Sequence, residues 1–137
     1  MRYIPKTIDY WLAAASARAT DALNLYEKRR FVAAIYLSGY VVECRLKALL
    51  IINGNKPPTR GPKGHDLRGL VEGAGFRLSD IRPPDRRQFL EHWSTDLRYQ
   101  ACLPSGMDHA SLFEAAKGLS GWLANRVKRP HRRRRRT

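Results

Sequence analysis

Residues 33–50 of the chain read AAIYLSGYVVECRLKALL, which is apolar at almost every position but contains Glu43 and Lys47. A helix that is apolar on all sides has no polar face to give to solvent, so we expect it at the centre of a helical bundle. Glu43 and Lys47 are four residues apart, with the acid first, which favours an ion pair along one helix. The segment therefore predicts a helical fold with a charged pair in or beside its core.

Apolar residues recur at helical spacing in four further parts of the chain. With capping and breaking residues as limits, the predicted helices cover residues 7–28, 30–52, 66–72, 84 to 98 or 100, and 109–127. Gly39 lies inside the second helix and indicates that another element packs closely there. No segment has the two-residue period of a strand. We expect an all-α fold, an antiparallel up-and-down four-helix bundle with one short extra helix.

The chain has 137 residues, enough for one domain, and lacks the features of a membrane or exported protein. A membrane span needs about 20 apolar residues, and Glu43, Arg45 and Lys47 interrupt the longest apolar stretch. Residues 1–6 do not resemble the start of a signal peptide. Cys44 and Cys102 do not have the spacing of a zinc site. We therefore expect a cytoplasmic protein with no membrane contact, no metal and no cofactor.

The net charge of +14 is concentrated at the end of the chain, where residues 128–137 hold seven cations and no acid. The cations are Lys128, Arg129, Arg132, Arg133, Arg134, Arg135 and Arg136. Such a run repels itself and has nothing to bury, so we expect a helical domain over residues 1–127 and a disordered polybasic tail over 128–137. The tail predicts salt-sensitive binding to RNA or another polyanion.

Four segments together resemble the HEPN superfamily (higher eukaryotes and prokaryotes nucleotide-binding domain) over roughly residues 7–127. They are the second helix over residues 36–49, Gly64-His65-Asp66-Leu67 after a loop rich in Pro and Gly, Trp93 with Leu97-Arg98-Tyr99, and the closing amphipathic helix. The resemblance implies an antiparallel four-helix bundle that often pairs as a homodimer. Many members are metal-independent RNases of toxin–antitoxin, CRISPR and phage-defence systems. Others are non-catalytic partners of a minimal nucleotidyltransferase.

The RNase members carry an Arg-x4–6-His motif, supported by a Glu of the second helix that is often followed by Lys four residues later. Carried over to this chain, the resemblance assigns catalytic roles to Arg98, His109, Glu43 and Lys47. Arg98 would stabilise the charge on phosphorus while a ribose 2′-OH attacks. His109, or His92, would act as general acid or base, and Glu43 would orient the arginine.

The chain departs from this motif, because ten residues separate Arg98 from His109 and include Pro104 and Gly106. Four other pairs fit the spacing, which is more than chance alone gives, but Arg-Arg doublets inflate the count and the excess means little. They are Arg60 with His65, Arg87 with His92, Arg86 with His92, and Arg126 with His131. Three functions therefore remain open: an RNase, a non-catalytic interaction subunit, and a protein that binds nucleic acid through its tail.

The individual residues also have two interpretations each. Glu43 and Lys47 either let an apolar helix tolerate charge or form the polar floor of a cleft. His65 either is structural, bonding backbone or packing on the second helix, or acts as a ligand or acid–base group. Arg98 and Tyr99 either bind an anion beside a stacking ring or satisfy the end of a helix.

Overall fold

The computed structural model describes residues 6–58, 61–103 and 106–135, without the side chains of residues 62 and 128–135. All regular structure in these ranges is helical, so the predicted all-α class is confirmed. The α-helices are α1 (Ile8–Glu27), α2 (Phe31–Ile52), α3 (Leu67–Gly73), α4 (Pro84–His92) and α5 (His109–Arg135). Short 3-10 helices cover Pro62–His65, Leu78–Asp80 and Thr95–Tyr99.

Helix α2 is the central element, as its apolar sequence predicts. It packs against α1, α3, α5 and the 3-10 helix Thr95–Tyr99. Thirteen of its 22 residues are buried, among them Glu43 and Lys47 at 3% and 2% exposure. These two charges therefore lie inside the protein and need partners there.

Helix α1 lies against α2 through small side chains. Thr7 caps the start of α1, where its Oγ1 accepts a hydrogen bond from the Tyr10 amide at 3.1 Å. Ala15 and Ala22 are 0% and 2% exposed, and their size lets the two helices approach closely. The observed bounds of α1 and α2 agree with the predicted ones to within one residue at each end.

The main core lies on the other side of α2, where α3, α4 and α5 pack. Its largest fully buried side chains are Ile35, Val42, Leu46, Val71, Ile81, Phe89, Leu119 and Leu123. Helix α4 packs against both α3 and α5. No helix within the described ranges combines the length and apolarity of a membrane span.

The predicted fourth helix is wrong in its second half, because α4 ends at His92. Trp93 and Ser94 are extended, and Ser94 caps the 3-10 helix that follows by accepting a hydrogen bond from the Asp96 amide at 3.0 Å. The cause is the indole of Trp93, which fills the space above Gly39 and donates from Nε1 to the Tyr36 carbonyl at 3.0 Å. The packing of Trp93 on α2 thus breaks the helix.

Helix α5 continues to Arg135, past Val127, where the sequence predicts its end. Arginine is a good helix former, and the helix continues although Pro130 lies within it. The side chains of residues 128–135, and all of residues 136 and 137, lie outside the described set. That residues 128–137 are disordered in solution and bind polyanions stays a prediction.

Candidate functional site

Glu43 shares its buried carboxylate between two basic side chains. Its Oε2 accepts a hydrogen bond from Lys47 Nζ at 2.9 Å, and its Oε1 lies 2.7 Å from His65 Nδ1. Lys47 Nζ also lies 4.7 Å from the ring centroid of Trp11, a cation–π contact. The predicted ion pair of α2 is therefore present, and His65 is its third member. Unlike the other two, His65 is partly open to solvent, since 44% of its side chain is exposed.

The loop between α2 and α3 brings His65 to Glu43. Gly61 has φ 74°, a left-handed conformation that suits glycine, and it opens the turn Pro62–His65. Asp66 then caps α3, where its Oδ1 accepts a hydrogen bond from the Gly69 amide at 3.2 Å. Leu67 is buried at the first position of α3, which fixes this helix against the core. His65 is thus held between a tight turn and an anchored helix.

Tyr36 and Tyr40, one turn apart on α2, form a pair whose hydroxyl oxygens are 3.0 Å apart. The ring of Tyr40 meets the His65 ring edge-on, with 5.7 Å between the ring centroids. Burial, the hydrogen bond from Tyr36 and the charge of Glu43 raise the pKa of Tyr40 far above its ordinary value, while Arg98 opposes them. Tyr40 therefore stays a neutral hydroxyl, and the charges of Glu43 and Arg98 act on it in opposite directions.

Arg98 projects from the end of the 3-10 helix Thr95–Tyr99 and is exposed. Its guanidinium carbon lies 4.7 Å from the ring centroid of Tyr99, a ring that is 75% exposed. The neighbouring hydroxyls of Tyr99 and Tyr36 raise the pKa of Arg98. Arg98 is thus a permanent cation between a hydroxyl of α2 and an exposed aromatic ring.

Arg98 and His109, both predicted as site residues, line the same open cleft of about 760 Å³. Arg29 and Arg30, from the connection between α1 and α2, line it too, as does the carboxylate of Asp108. Hydrogen bonds from the Ser111 hydroxyl and amide to Oδ2 lower the pKa of Asp108, so this carboxylate is ionised. Three arginines against one carboxylate leave the cleft with a net positive charge. Glu43 and Lys47 lie outside its lining.

A strained turn directs Arg29 and Arg30. Arg29 has φ 64°, the one left-handed residue other than glycine within the described ranges. The amides of Arg29 and Arg30 donate to the carbonyls of Tyr26 and Leu25 at 2.9 and 2.8 Å, which closes the end of α1. The turn places two adjacent arginines at the cleft.

His109 belongs to an aromatic cluster that joins α1, α2 and α5. Its ring stacks on Phe31 with 3.7 Å between ring centroids and 4° between the planes, and its Nδ1 lies 3.0 Å from the Tyr26 hydroxyl. Tyr26 in turn stacks on Phe113 at 4.1 Å. One face and one nitrogen of His109 are therefore occupied by packing and hydrogen bonding.

The other Arg-x4–6-His pairs gain no support from the structure. Arg87 Nε is buried and has no hydrogen-bond partner among the described residues, and His92 is exposed on α4. Arg60 and the side chain of His131 lie outside the described set. In the same ranges, no three His, Cys, Asp or Glu side chains come together as metal ligands.

The sequence predictions missed two parts of this region. Arg29 and Arg30 were not singled out, although Lys28-Arg29-Arg30 is a local run of three cations between two helices. The contact of His65 with Glu43 joins residues 22 positions apart and has only an indirect signal, the histidine after a loop rich in Pro and Gly.

The chain matches a known protein family but no individual known protein. No curated protein and no solved structure matches the chain. The family model described as HEPN domain matches residues 8–126, which include all of α1 to α4 and most of α5. The chain therefore belongs to the HEPN family.

Proposed function

We propose that this HEPN protein binds RNA in the cleft lined by Arg29, Arg30 and Arg98. The observation that carries the proposal is the convergence of these three arginines, from two distant segments, on one open cleft. A guanidinium matches the geometry of a phosphate and binds it with two hydrogen bonds. Membership of the HEPN family, whose domain is associated with nucleic acids, supports RNA as the anion.

The surroundings of the cleft favour a single strand over a duplex. Tyr99 presents an exposed ring beside Arg98, and unpaired bases stack on such rings. The cleft volume of about 760 Å³ is within the range of roughly 300–1,000 Å³ that is usual for ligand sites. A cleft of this kind would hold a short part of the strand and leave the rest on the basic surface.

Fluorescence anisotropy with a labelled single-stranded RNA tests the proposal. Arg98→Ala, and Arg29→Ala with Arg30→Ala, should weaken binding and lower the slope of log affinity against log salt by about 0.7 for each arginine that contacts a phosphate. Arg68→Ala, an exposed arginine of α3 outside the cleft, is the matched control. All variants keep the tail, so its contribution cancels. Equal affinities for all variants would refute the cleft as the site.

RNA cleavage is the second candidate function, favoured because Arg98, the residue that best matches the catalytic arginine of HEPN RNases, lines the cleft. In that reaction the 2′-oxygen bonds to the adjacent phosphorus and the bond from phosphorus to the 5′-oxygen breaks. The products are a 2′,3′-cyclic phosphate and a 5′-hydroxyl. Arg98 would stabilise the negative charge that develops on the phosphate oxygens. The resemblance implies no metal, so cleavage should persist in EDTA and disappear in Arg98→Ala.

The rest of the proposal comes from the resemblance to HEPN proteins. It comprises the antiparallel four-helix arrangement, a homodimer, and a toxin–antitoxin or defence module. A nucleotidyltransferase partner belongs to the alternative in which the chain is a non-catalytic subunit. Light scattering at twice the chain mass would support the homodimer. RNA binding without cleavage would favour the non-catalytic alternative.

A further inference from the structure

Glu43 is the one buried carboxylate among the described residues, and its bond to an exposed histidine needs an explanation. Burying a carboxylate is costly, and Lys47 already supplies a counterion through Oε2. The second oxygen is directed at His65. Asp66 and Leu67 already anchor the adjacent α3, so the loop does not depend on a buried charge for its position.

The contact fixes both the orientation and the tautomer of His65. A carboxylate that accepts a hydrogen bond from Lys47 is ionised, so at 2.7 Å it accepts from His65 Nδ1 as well. In the neutral ring Nε2 is then the nitrogen without a proton, free to accept one. When Nε2 gains a proton, Glu43 stabilises the resulting imidazolium. Carboxylate–histidine pairs in which the acid orients the ring work in this way.

His65 and Arg98 lie on two sides of the tyrosine pair. The His65 ring is 5.7 Å from that of Tyr40, and the Tyr40 hydroxyl is 3.0 Å from the Tyr36 hydroxyl. Tyr36 lines the cleft together with Arg98, whereas His65 and Tyr40 lie outside that lining. An exposed histidine, two hydroxyls and an exposed arginine thus follow one another along the surface. Each of them can bond a phosphate or a ribose.

We propose that His65, positioned by Glu43, is the catalytic proton-transfer residue of the RNA site, and that His109 is structural. The inference rests on the proposed function, because it assumes that RNA reaches Arg98. His109 is the weaker candidate, since its ring is stacked on Phe31 and its Nδ1 meets the Tyr26 hydroxyl.

The reaction uses His65 as a general base. Its Nε2 takes the proton of the ribose 2′-OH while the 2′-oxygen bonds to phosphorus, and Arg98 stabilises the charge on the non-bridging oxygens. The 5′-oxygen leaves with a proton from water. The imidazolium, paired with Glu43, then returns its proton to solvent, which restores the starting state.

This role predicts a rate that rises with pH as His65 loses its proton. The charged or titratable groups around it are Glu43, Lys47 and Tyr40 on α2, Lys63 and Asp66 on its own segment, and Arg98 beyond the tyrosines. Tyr40 does not contribute, because its raised pKa keeps it neutral throughout the neutral range. An ascending limb that is lost in a variant without His65 would identify this residue as the base.

Single-turnover cleavage of a 5′-labelled RNA across pH, in EDTA, tests the inference, with anisotropy and thermal melting of the same samples. In His65→Asn the amide nitrogen replaces Nδ1 and keeps the bond to Glu43, but no base remains. We expect cleavage to fall at least about 100-fold, the ascending limb to vanish, and RNA affinity to change less than about twofold. Arg68→Ala, an exposed arginine of α3 outside the cleft, is the control and should cleave within a few-fold of the wild type. A loss of cleavage confined to His109→Asn would assign the proton transfer to His109 instead. Glu43→Gln should lower the single-turnover rate constant and leave the RNA affinity unchanged.

The contrary outcomes separate the inference from the function it rests on. Equal cleavage by His65→Asn and the wild type would overturn the role of His65, as would loss in His109→Asn alone. A wild-type protein that binds RNA at the cleft but never cleaves it would overturn the proton transfer and leave RNA binding intact. A wild-type protein that does not bind RNA would overturn both.

Discussion

Glu43 shows how one residue links the stability of this protein to its site. Its two oxygens bond Lys47 and His65, one buried and one exposed, at 2.9 and 2.7 Å. The same carboxylate therefore neutralises a charge inside the core and orients a ring at the surface. Changes to Glu43 should affect both folding and chemistry.

Glu43→Ala leaves the ammonium of Lys47 buried without its anion. We expect a loss of about 3–5 kcal/mol in the free energy of unfolding, measured by urea denaturation. Glu72→Ala, an exposed glutamate of α3, is the control and should change stability by less than about 0.5 kcal/mol. Replacing the pair together, as Glu43→Leu with Lys47→Met, should recover most of the loss. If the urea midpoint of Glu43→Ala equals that of the wild type, Lys47 does not depend on Glu43 as its counterion.

Arg29 combines backbone strain with a charge that lines the cleft. At φ 64° a residue with a Cβ is strained. Arg29→Gly should therefore be at least as stable as the wild type, with a free energy of unfolding up to about 1 kcal/mol higher. The same variant should bind RNA more weakly, because a cation leaves the cleft. Lys28→Gly, at φ −87° and outside the lining, is the control and should lose stability while keeping its RNA affinity. A loss of stability in Arg29→Gly would show that the turn is not strained.

At the scale of elements, the contact between α2 and Trp93 positions the whole site. The indole of Trp93 lies against Gly39, donates to the Tyr36 carbonyl, and ends α4. The 3-10 helix that begins after this break carries Arg98 to the cleft. The close approach at Gly39 therefore determines both the packing of Trp93 on α2 and the position of Arg98 at the cleft.

Gly39→Ala should be strongly destabilising, because its Cβ would lie 1.8 Å from the Trp93 ring. We expect a loss of about 1–3 kcal/mol, measured by thermal denaturation. Gly121→Ala in α5 is the matched control, since nothing lies within 4 Å of a Cβ built there. It should gain about 0.5–1 kcal/mol from helix propensity. A neutral Gly39→Ala would mean that Trp93 packs elsewhere.

At the scale of the whole molecule, the sequence allows the prediction of what is encoded locally. The bounds of α1 and α2 follow from apolar spacing and from end signals within the same segments. The break at Trp93 was not predictable in this way, since no Pro or Gly marks it and its cause is a glycine 54 positions earlier. Long-range packing overrode a local helical pattern there.

The same distinction applies to the site. The burial of Glu43 and its pairing with Lys47 follow from one helical segment, and both are observed. Arg98 and His109 came from the resemblance, and the fold places them on one cleft. The bond of His65 to Glu43 and the approach of Arg29 to Arg98 depend on tertiary packing. No spacing within one helix predicts them.

The alkylation rate of Cys102 by iodoacetamide tests most directly whether RNA lies in the cleft. Cys102 is exposed and lines the cleft, whereas burial raises the pKa of Cys44 to about 11 and keeps it a protected thiol at neutral pH. One site should therefore react in the folded protein. A bound strand that covers Cys102 for more than about nine-tenths of the time protects the thiol from the reagent. Saturating single-stranded RNA should therefore slow the reaction by at least about tenfold. An unchanged rate under saturation, with free glutathione as the control for the reagent, would contradict RNA binding in the cleft.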